Sequence, residues 1–144
     1  MLLTIERVAL LRRVDLFAET PGRVLAGVAQ VLEEVEVGAG DTIMEAGAVE
    51  DWMFIVVDGV LDVHLGEKVR PVPTGGVVGE LAVLDPQPRS ATVVARTPAL
   101  LFRLRKPAFD EVMATRPEIA QGVVRELVRR LRAHPATLLT STNP

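Results

Sequence analysis

The chain has 144 residues, 49% of them apolar and 24% charged, with a net charge of −3 and no cysteine. That length suits one domain that buries a core without metal or disulfide support. The charge disfavours a nucleic-acid partner held by general electrostatics, and the missing cysteine excludes disulfide scaffolds and thiolate chemistry.

The N-terminal stretch "MLLTIERVALLRRVDLF" places Leu2, Ile5, Ala9 and Leu10 at helical intervals, with Glu6, Arg7, Arg12 and Arg13 on the other side. These charges and Asp15 break any signal-peptide hydrophobic region. No stretch of the chain approaches the roughly 20 uninterrupted apolar residues of a membrane span. A soluble, cytoplasmic domain is expected, either free or as a piece of a larger protein. The next segment, "ETPGRVLAGVAQVL", predicts a second helix, with Thr20 as N-cap, Pro21 in the first turn, and Val24, Leu25 and Val28 on its apolar stripe. Core packing is the expected role of both helices.

From about Leu32 the period changes to short apolar runs cut by turns at Gly38–Asp41 and Ala46–Ala48. Trp52–Val57 reads as a buried strand, Asp58-Gly59 as a hairpin turn, and Val60–Leu65 as an alternating strand. In that last strand Leu61, Val63 and Leu65 share one face, with Asp62 and His64 on the other. Ala91–Ala95 and Leu100–Leu104 supply two further strands. Short strands at this spacing predict a β-barrel or jelly roll. Helices then return, with Pro107 in the first turn of one and Pro117 at the start of the last. In the last helix Ile119, Val123, Leu127 and Leu131 stack at i, i+4 steps, with Ala120, Val124 and Val128 beside them, while Gln121, Arg125, Arg129 and Arg132 face away.

The chemistry concentrates in "GELAVLDPQPRSATV", Gly79 to Val93. Gly79 admits unusual backbone and close ligand approach. Glu80–Leu84 makes one helical turn, which Pro86 and Pro88 keep short. Its free N–H groups suit an anion, and Arg89 adds a fork of donors for a phosphate. Ser90 and Ala91 are small enough to let backbone and hydroxyl reach the same oxygen. Glu80, acceptor-only when ionised, suits a sugar hydroxyl next to that phosphate, and also suits holding Arg89 in place. The expected ligand joins an anionic phosphate to a ribose with a free hydroxyl.

The segment resembles the phosphate-binding cassette of cyclic-nucleotide-binding domains: Val78, Gly79, Glu80, Leu81, Ala82, Val83, a five-residue spacer, then Arg89, Ser90, Ala91, Thr92, Val93. The spacer is similar in length to that of protein-kinase regulatory subunits. "VGAGDTIMEAGAVEDWMFIVVDGVLDVH" looks like the family's early strands, and the flanking helices fit as well. The resemblance implies a mainly β fold with flanking helices, a double-stranded β-helix (jelly-roll) barrel. It implies N-terminal helices in 1–30, the barrel in 31–105 with the cassette at 78–93, C-terminal lid helices in 106–133, and a flexible tail in 134–144. It further implies that Arg89 pairs with the cyclic phosphate, that Glu80 accepts from the ribose 2′-OH, and that the N–H groups of Leu81, Ala82 and Ser90 join the phosphate shell. The resemblance also implies that Val63 helps line the base pocket and that the helix 117–133 acts as a lid over the base. Where many relatives carry an aromatic residue before Gly-Glu, this chain has Val78, a loss of volume and not of ligand chemistry.

Relatives that prefer cGMP often carry Thr at the position of Ser90, where the hydroxyl reaches the guanine amino group. Ser90 has a shorter stem, as in bacterial cAMP activators, so cAMP is expected ahead of cGMP. The expected function is a regulatory module without catalysis, able to meet a second copy or an effector domain through its last helix. Arg89→Ala is expected to cost the phosphate contact and leave the fold intact. The alternative is a scaffold with an empty or self-filled pocket inside a transporter, channel or signalling assembly. A structure with Arg89 turned away from the cassette would favour it. Reading DNA as catabolite activators do needs a helix-turn-helix after the long helix; with ten residues after His134, this chain is not expected to read DNA in that way unless it is a fragment. No nucleophile–base pair emerges. His64 and His134 lie too far apart for a metal site, and Trp52 is expected in the core.

Overall fold

The structure is a computed structural model that describes residues 2–134. The expected tail lies, apart from His134, outside the described residues. Helices α1 (Thr4–Leu11) and α2 (Gly22–Ala29) come first, with a 3-10 turn at Asp15–Phe17 between them. Eight strands follow: β1 (Glu33–Val37), β2 (Thr42–Met44), β3 (Trp52–Asp58), β4 (Leu61–Leu65), β5 (Lys68–Val72), β6 (Val77–Val78), β7 (Thr92–Ala95) and β8 (Ala99–Arg105). A second 3-10 turn, Glu80–Val83, separates β6 from β7. Helices α3 (Lys106–Thr115) and α4 (Pro117–Ala133) end the described chain.

The strands form two four-stranded antiparallel sheets, in the orders β1-β8-β3-β6 and β2-β7-β4-β5. Helices flank this jelly-roll sandwich, so the fold is mainly β, as expected. Strand β3 is apolar from Trp52 to Val57 because both of its faces are covered there, and only Asp58 at its end is exposed. Met53 and Ile55 join Phe102, Leu104 and the helices in one core cluster. Phe54 and Val56 turn the other way, into the sandwich with Leu61, Val63, Val93 and Leu101. Strand β4 alternates instead, with Leu61 and Val63 buried and Asp62 and His64 half-buried. Phe17 and Phe109, ring centroids 5.6 Å apart, fasten the N-terminal 3-10 turn to α3.

Four local expectations come out differently. Asp58-Gly59 does turn the chain, but β3 and β4 belong to different sheets and form no hairpin. Gly59, at φ +109°, packs against the carbonyl of Pro98 and carries the chain across the sandwich. Pro21, not Thr20, occupies the N-cap of α2, and the Thr20 hydroxyl is buried without a hydrogen-bond partner among the described residues. In α1, Ile5 faces solvent, 76% exposed. Arg7 turns inward, donating to the carbonyls of Ala29 and Leu32 at 3.2 Å and lying 4.8 Å over the Phe102 ring. Capping of the α2 C-terminus and the strand entry by a guanidinium outweighs the apolar stripe there. In α4, Val124 and Val128 are exposed, whereas Glu126 is fully buried.

Candidate functional site

Residues 78–93 wrap one mouth of the sandwich. Val78, buried, ends β6 opposite Phe54. Gly79 follows at φ +73°, a left-handed conformation that a side chain disfavours. It starts the 3-10 turn, closed by Ala82 N–H donating to Gly79 O at 3.1 Å and Leu84 N–H to Leu81 O at 3.0 Å. The amide of Ala82 is therefore committed to the turn. The amides of Leu81 and Ser90 donate to no protein group among the described residues. The loop before β3 straps the far end of the segment: Arg89 N–H donates to Ala48 O and Gly47 N–H to Arg89 O, both at 2.8 Å.

Arg89 is buried, 9% exposed, and lines the cavity beside the turn. Its Nε donates to Glu50 Oε1 at 3.3 Å, Nη1 to Gly79 O at 3.5 Å, and Nη2 to the carbonyl of Trp52. A guanidinium has five N–H donors. Three are thus committed to the protein and two remain, on a side chain whose position is fixed. Glu50 does the holding that the sequence suggested for Glu80.

Glu80 instead accepts from Arg130 Nη2 at 3.1 Å through Oε1. Arg130 comes from α4 and also reaches Glu126 Oε1 at 3.3 Å. Glu126, fully buried, accepts from Arg129 Nε at 2.9 Å as well. Arg129, then Arg130, hold the Glu126 carboxyl below the ordinary carboxylate range, although burial works the other way. Burial likewise opposes the charge of Arg130, but the attraction of Glu80 and the bond to Glu126 outweigh it and raise its pKa. One chain of charges therefore runs from the buried side of α4 to the rim of the cavity. Oε2 of Glu80 has no hydrogen bond among the described residues and remains an available acceptor.

The cavity measures about 990 Å³, near the upper end of small-molecule sites, and it is open. Its wall brings together every site residue proposed from sequence: Val63, Val78, Gly79, Glu80, Leu81, Ala82, Arg89, Ser90 and Ala91. Leu127 of α4 reaches the same wall. Trp52 does not line it. It packs against the sandwich core under Arg103 and Arg105, 5.9 and 5.5 Å from the ring, and contributes its carbonyl to Arg89. No group of three or more His, Asp or Glu residues able to hold a metal ion occurs among the described residues. Glu50, Glu126 and Arg130 are the participants that sequence reasoning missed. Only Glu126 and Arg130 carried a signal, being one helical turn apart with opposite charges.

A fixed cationic fork with donors to spare, two free amides beside it, an acceptor carboxylate and an apolar wall suit an anion that carries a hydroxyl and a flat or apolar body. The arrangement suits binding and orientation, and among the described residues it shows no nucleophile hydrogen-bonded to a base.

The profile of the cyclic nucleotide-binding domain matches residues 34–116. A cyclic nucleotide-gated potassium channel of Mesorhizobium japonicum is 36% identical over 112 residues, covering 78% of this chain and 31% of the channel. A cAMP-dependent protein kinase regulatory subunit of Aspergillus fumigatus is 31% identical, covering 85% of this chain and 28% of the subunit. The chain thus spans less than a third of either curated relative. The crystal structure of the N-terminal domain of a transcriptional regulator from Streptomyces coelicolor superposes with a TM-score of 0.81 at 30% identity, covering 89% of this chain and 93% of that one.

Proposed function

The chain belongs to the cyclic nucleotide-binding domain family, and on that premise we propose that it is a regulatory module without catalysis that takes cAMP, ahead of cGMP, into the cavity walled by residues 78–93. The observation that carries this reading is Arg89, a buried guanidinium held by Glu50, Gly79 and Trp52 with two donors left over. The cyclic phosphate takes those donors together with the amides of Leu81 and Ser90. The ribose 2′-OH donates to Glu80, whose Oε2 is free beside the Arg130 contact. Val63 and Ala91 pack against the sugar and base. The shorter reach of the Ser90 hydroxyl supports cAMP, and one relative in the same family is named as a cAMP-dependent kinase regulatory subunit.

Binding becomes a signal through α4. Glu80 faces both the ligand and Arg130, so a nucleotide that engages Glu80 changes the hold on the helix carrying Arg130 and Leu127. A switch results only if the ligand binds the two positions of that helix with different affinity. The exposed stripe of Val124, Val128 and Leu131 is the face that would pass the change to an effector domain or a second copy.

Calorimetric titration tests the reading. We expect cAMP to bind, and 2′-deoxy-cAMP to bind more weakly by a margin that Glu80→Gln removes. Equal affinity for the two sugars in the unmutated protein would take Glu80 out of the site. Absence of heat and of thermal shift up to millimolar cAMP would overturn the function.

A further inference from the structure

We propose that the outer face of α1 and α2, carried by Ile5, Arg12, Arg23 and Arg116, docks an acidic segment of another polypeptide, one with an apolar residue beside its carboxylates. None of these four residues lines the cavity. Helices α1 and α2 run antiparallel. Arg7, within α1, donates to the carbonyls of Ala29 and Leu32 at the far end of α2. Arg12, at the end of α1, lies over the start of α2, its Nη1 3.0 Å from where a Cβ on Gly22 would stand. Val24, Leu25, Val28 and Ala29 bury the inner face of α2, and Arg23 is exposed on the outer one. Arg116, in the turn between α3 and α4, lies over the same helix further on, its Nε 3.0 Å from where a Cβ on Gly27 would stand.

Three guanidiniums from three parts of the chain therefore meet on one helix face. The rise and turn from Gly22 to Gly27 set Arg12 and Arg116 about 10 Å apart, with Arg23 between them. On α1, Ile5 and Ala9 precede Arg12 on the same side, at i, i+4 and i+7 spacing. Ile5 is 76% exposed, the most exposed of the large apolar residues.

Arg12, Arg23 and Arg116 make no ion pair among the described residues. The chain as a whole carries −3, so three unpaired positive charges in one place attract an acidic partner that the chain's net charge repels elsewhere. Their spacing selects the occupant. A single phosphate cannot bridge guanidiniums about 10 Å apart without lifting them off their glycines. An extended polypeptide rises about 3.3 Å per residue, so carboxylates three residues apart reach Arg12 and Arg116 together. A guanidinium takes each carboxylate as a fork, and Ile5 gives an apolar side chain of the same segment a surface to cover.

The test is an NMR titration of the nitrogen-15-labelled full chain, without nucleotide, with a capped pentapeptide of four glutamates around a central leucine. We expect the amides of Gly22, Arg23 and Gly27 to shift, and the same peptide with glutamines for glutamates to bind at least tenfold more weakly. Exposed ion pairs are each worth about twofold to threefold, so Arg12→Gln, Arg23→Gln and Arg116→Gln together should weaken binding about tenfold. Arg132→Gln, at another exposed and unpaired arginine, should leave it within twofold. Ile5→Ser should weaken the leucine peptide and leave a glycine-centred one unchanged. Should the triple variant fail to fold, Arg23→Gln alone, at an exposed helix position, should still cost twofold to threefold. Shifts confined to other residues, equal binding of the glutamine peptide, or an affinity that the arginine changes leave intact would remove the docking face. Tripolyphosphate binding there while the glutamate peptide does not would overturn the polypeptide partner. Each of these results leaves the nucleotide reading standing, because no nucleotide is present.

Discussion

Removing Arg89 should weaken the protein before any ligand is added. The sequence suggests that Arg89→Ala spares the fold, but the structure makes Arg89 a strut between three separate segments. Its guanidinium joins Glu50 ahead of β3, the carbonyl of Trp52 within β3, and the carbonyl of Gly79 at the start of the 3-10 turn. Hydrogen bonds to a charged group contribute about 1.5–3 kcal/mol each. The contact to Gly79 is long at 3.5 Å, and Glu50 is 22% exposed, so both fall at or below the low end. The bond to Trp52 O lies deeper, and its loss leaves a carbonyl without a partner. The total comes to about 3–5 kcal/mol, a large share of a domain's 5–15 kcal/mol. For a chain of this length that is a fall in Tm of about 10 °C. Urea unfolding of the nucleotide-free protein measures it. A midpoint equal to that of the unmutated protein would refute the strut. Arg89→Lys keeps the charge but cannot span three acceptors, so it should fall between the two.

Gly79→Ala should impair folding and binding together: φ +73° costs a side chain about 1–2 kcal/mol, and the added Cβ would press on Arg89 Nη1 and stand 2.6 Å from Met44 Cε. Urea unfolding and cAMP titration check both losses, and an unchanged cAMP affinity would contradict the close packing of guanidinium and backbone. Glu126 predicts an acid-sensitive α4. Its folded-state pKa lies below the ordinary carboxylate value because of Arg129 and Arg130, so the stability it contributes is present at neutral pH. That contribution is lost as pH falls below the ordinary carboxylate range and through the folded pKa. Glu33 is lowered too, by Arg105 and Arg103, so the readout is the difference between the unmutated chain and Glu126→Gln. The variant should lose less stability between neutral and acid pH, and parallel curves would show that Glu126 carries none of the dependence. Gly122→Ala should loosen the seat of α4, since its Cβ would meet Thr20 Oγ1 and come within 3.2 Å of Glu19 O. Helix propensity alone predicts a gain of up to about 1 kcal/mol, so a raised Tm would argue against that contact.

The candidate site is readable along the chain because its parts are neighbours there. Gly79 and Glu80 precede Arg89 by a spacer that two prolines keep out of a helix, and small residues follow directly. Strand parity likewise placed Val63 inward. What stayed hidden depends on partners far along the chain. Arg130 meets Glu80 at a separation of 50 residues, and Arg89 meets Glu50 at 39. Nothing local marks Glu50 as the partner of Arg89, or Arg130 as the partner of Glu80. The inward turn of Arg7 has the same origin, since its acceptors, Ala29 and Leu32, exist only once α2 and β1 are in place. Asp58-Gly59 shows the limit for strands: the turn is a local property, but the choice of sheet on either side belongs to the whole sandwich.

The crystal structure of the chain grown with cAMP tests the central claim most directly. The account predicts the cyclic phosphate within hydrogen-bonding distance of Arg89 and of the amides of Leu81 and Ser90, with the 2′-OH on Glu80. A cavity that stays vacant at saturating nucleotide, or a nucleotide seated with its phosphate away from Arg89, would contradict it.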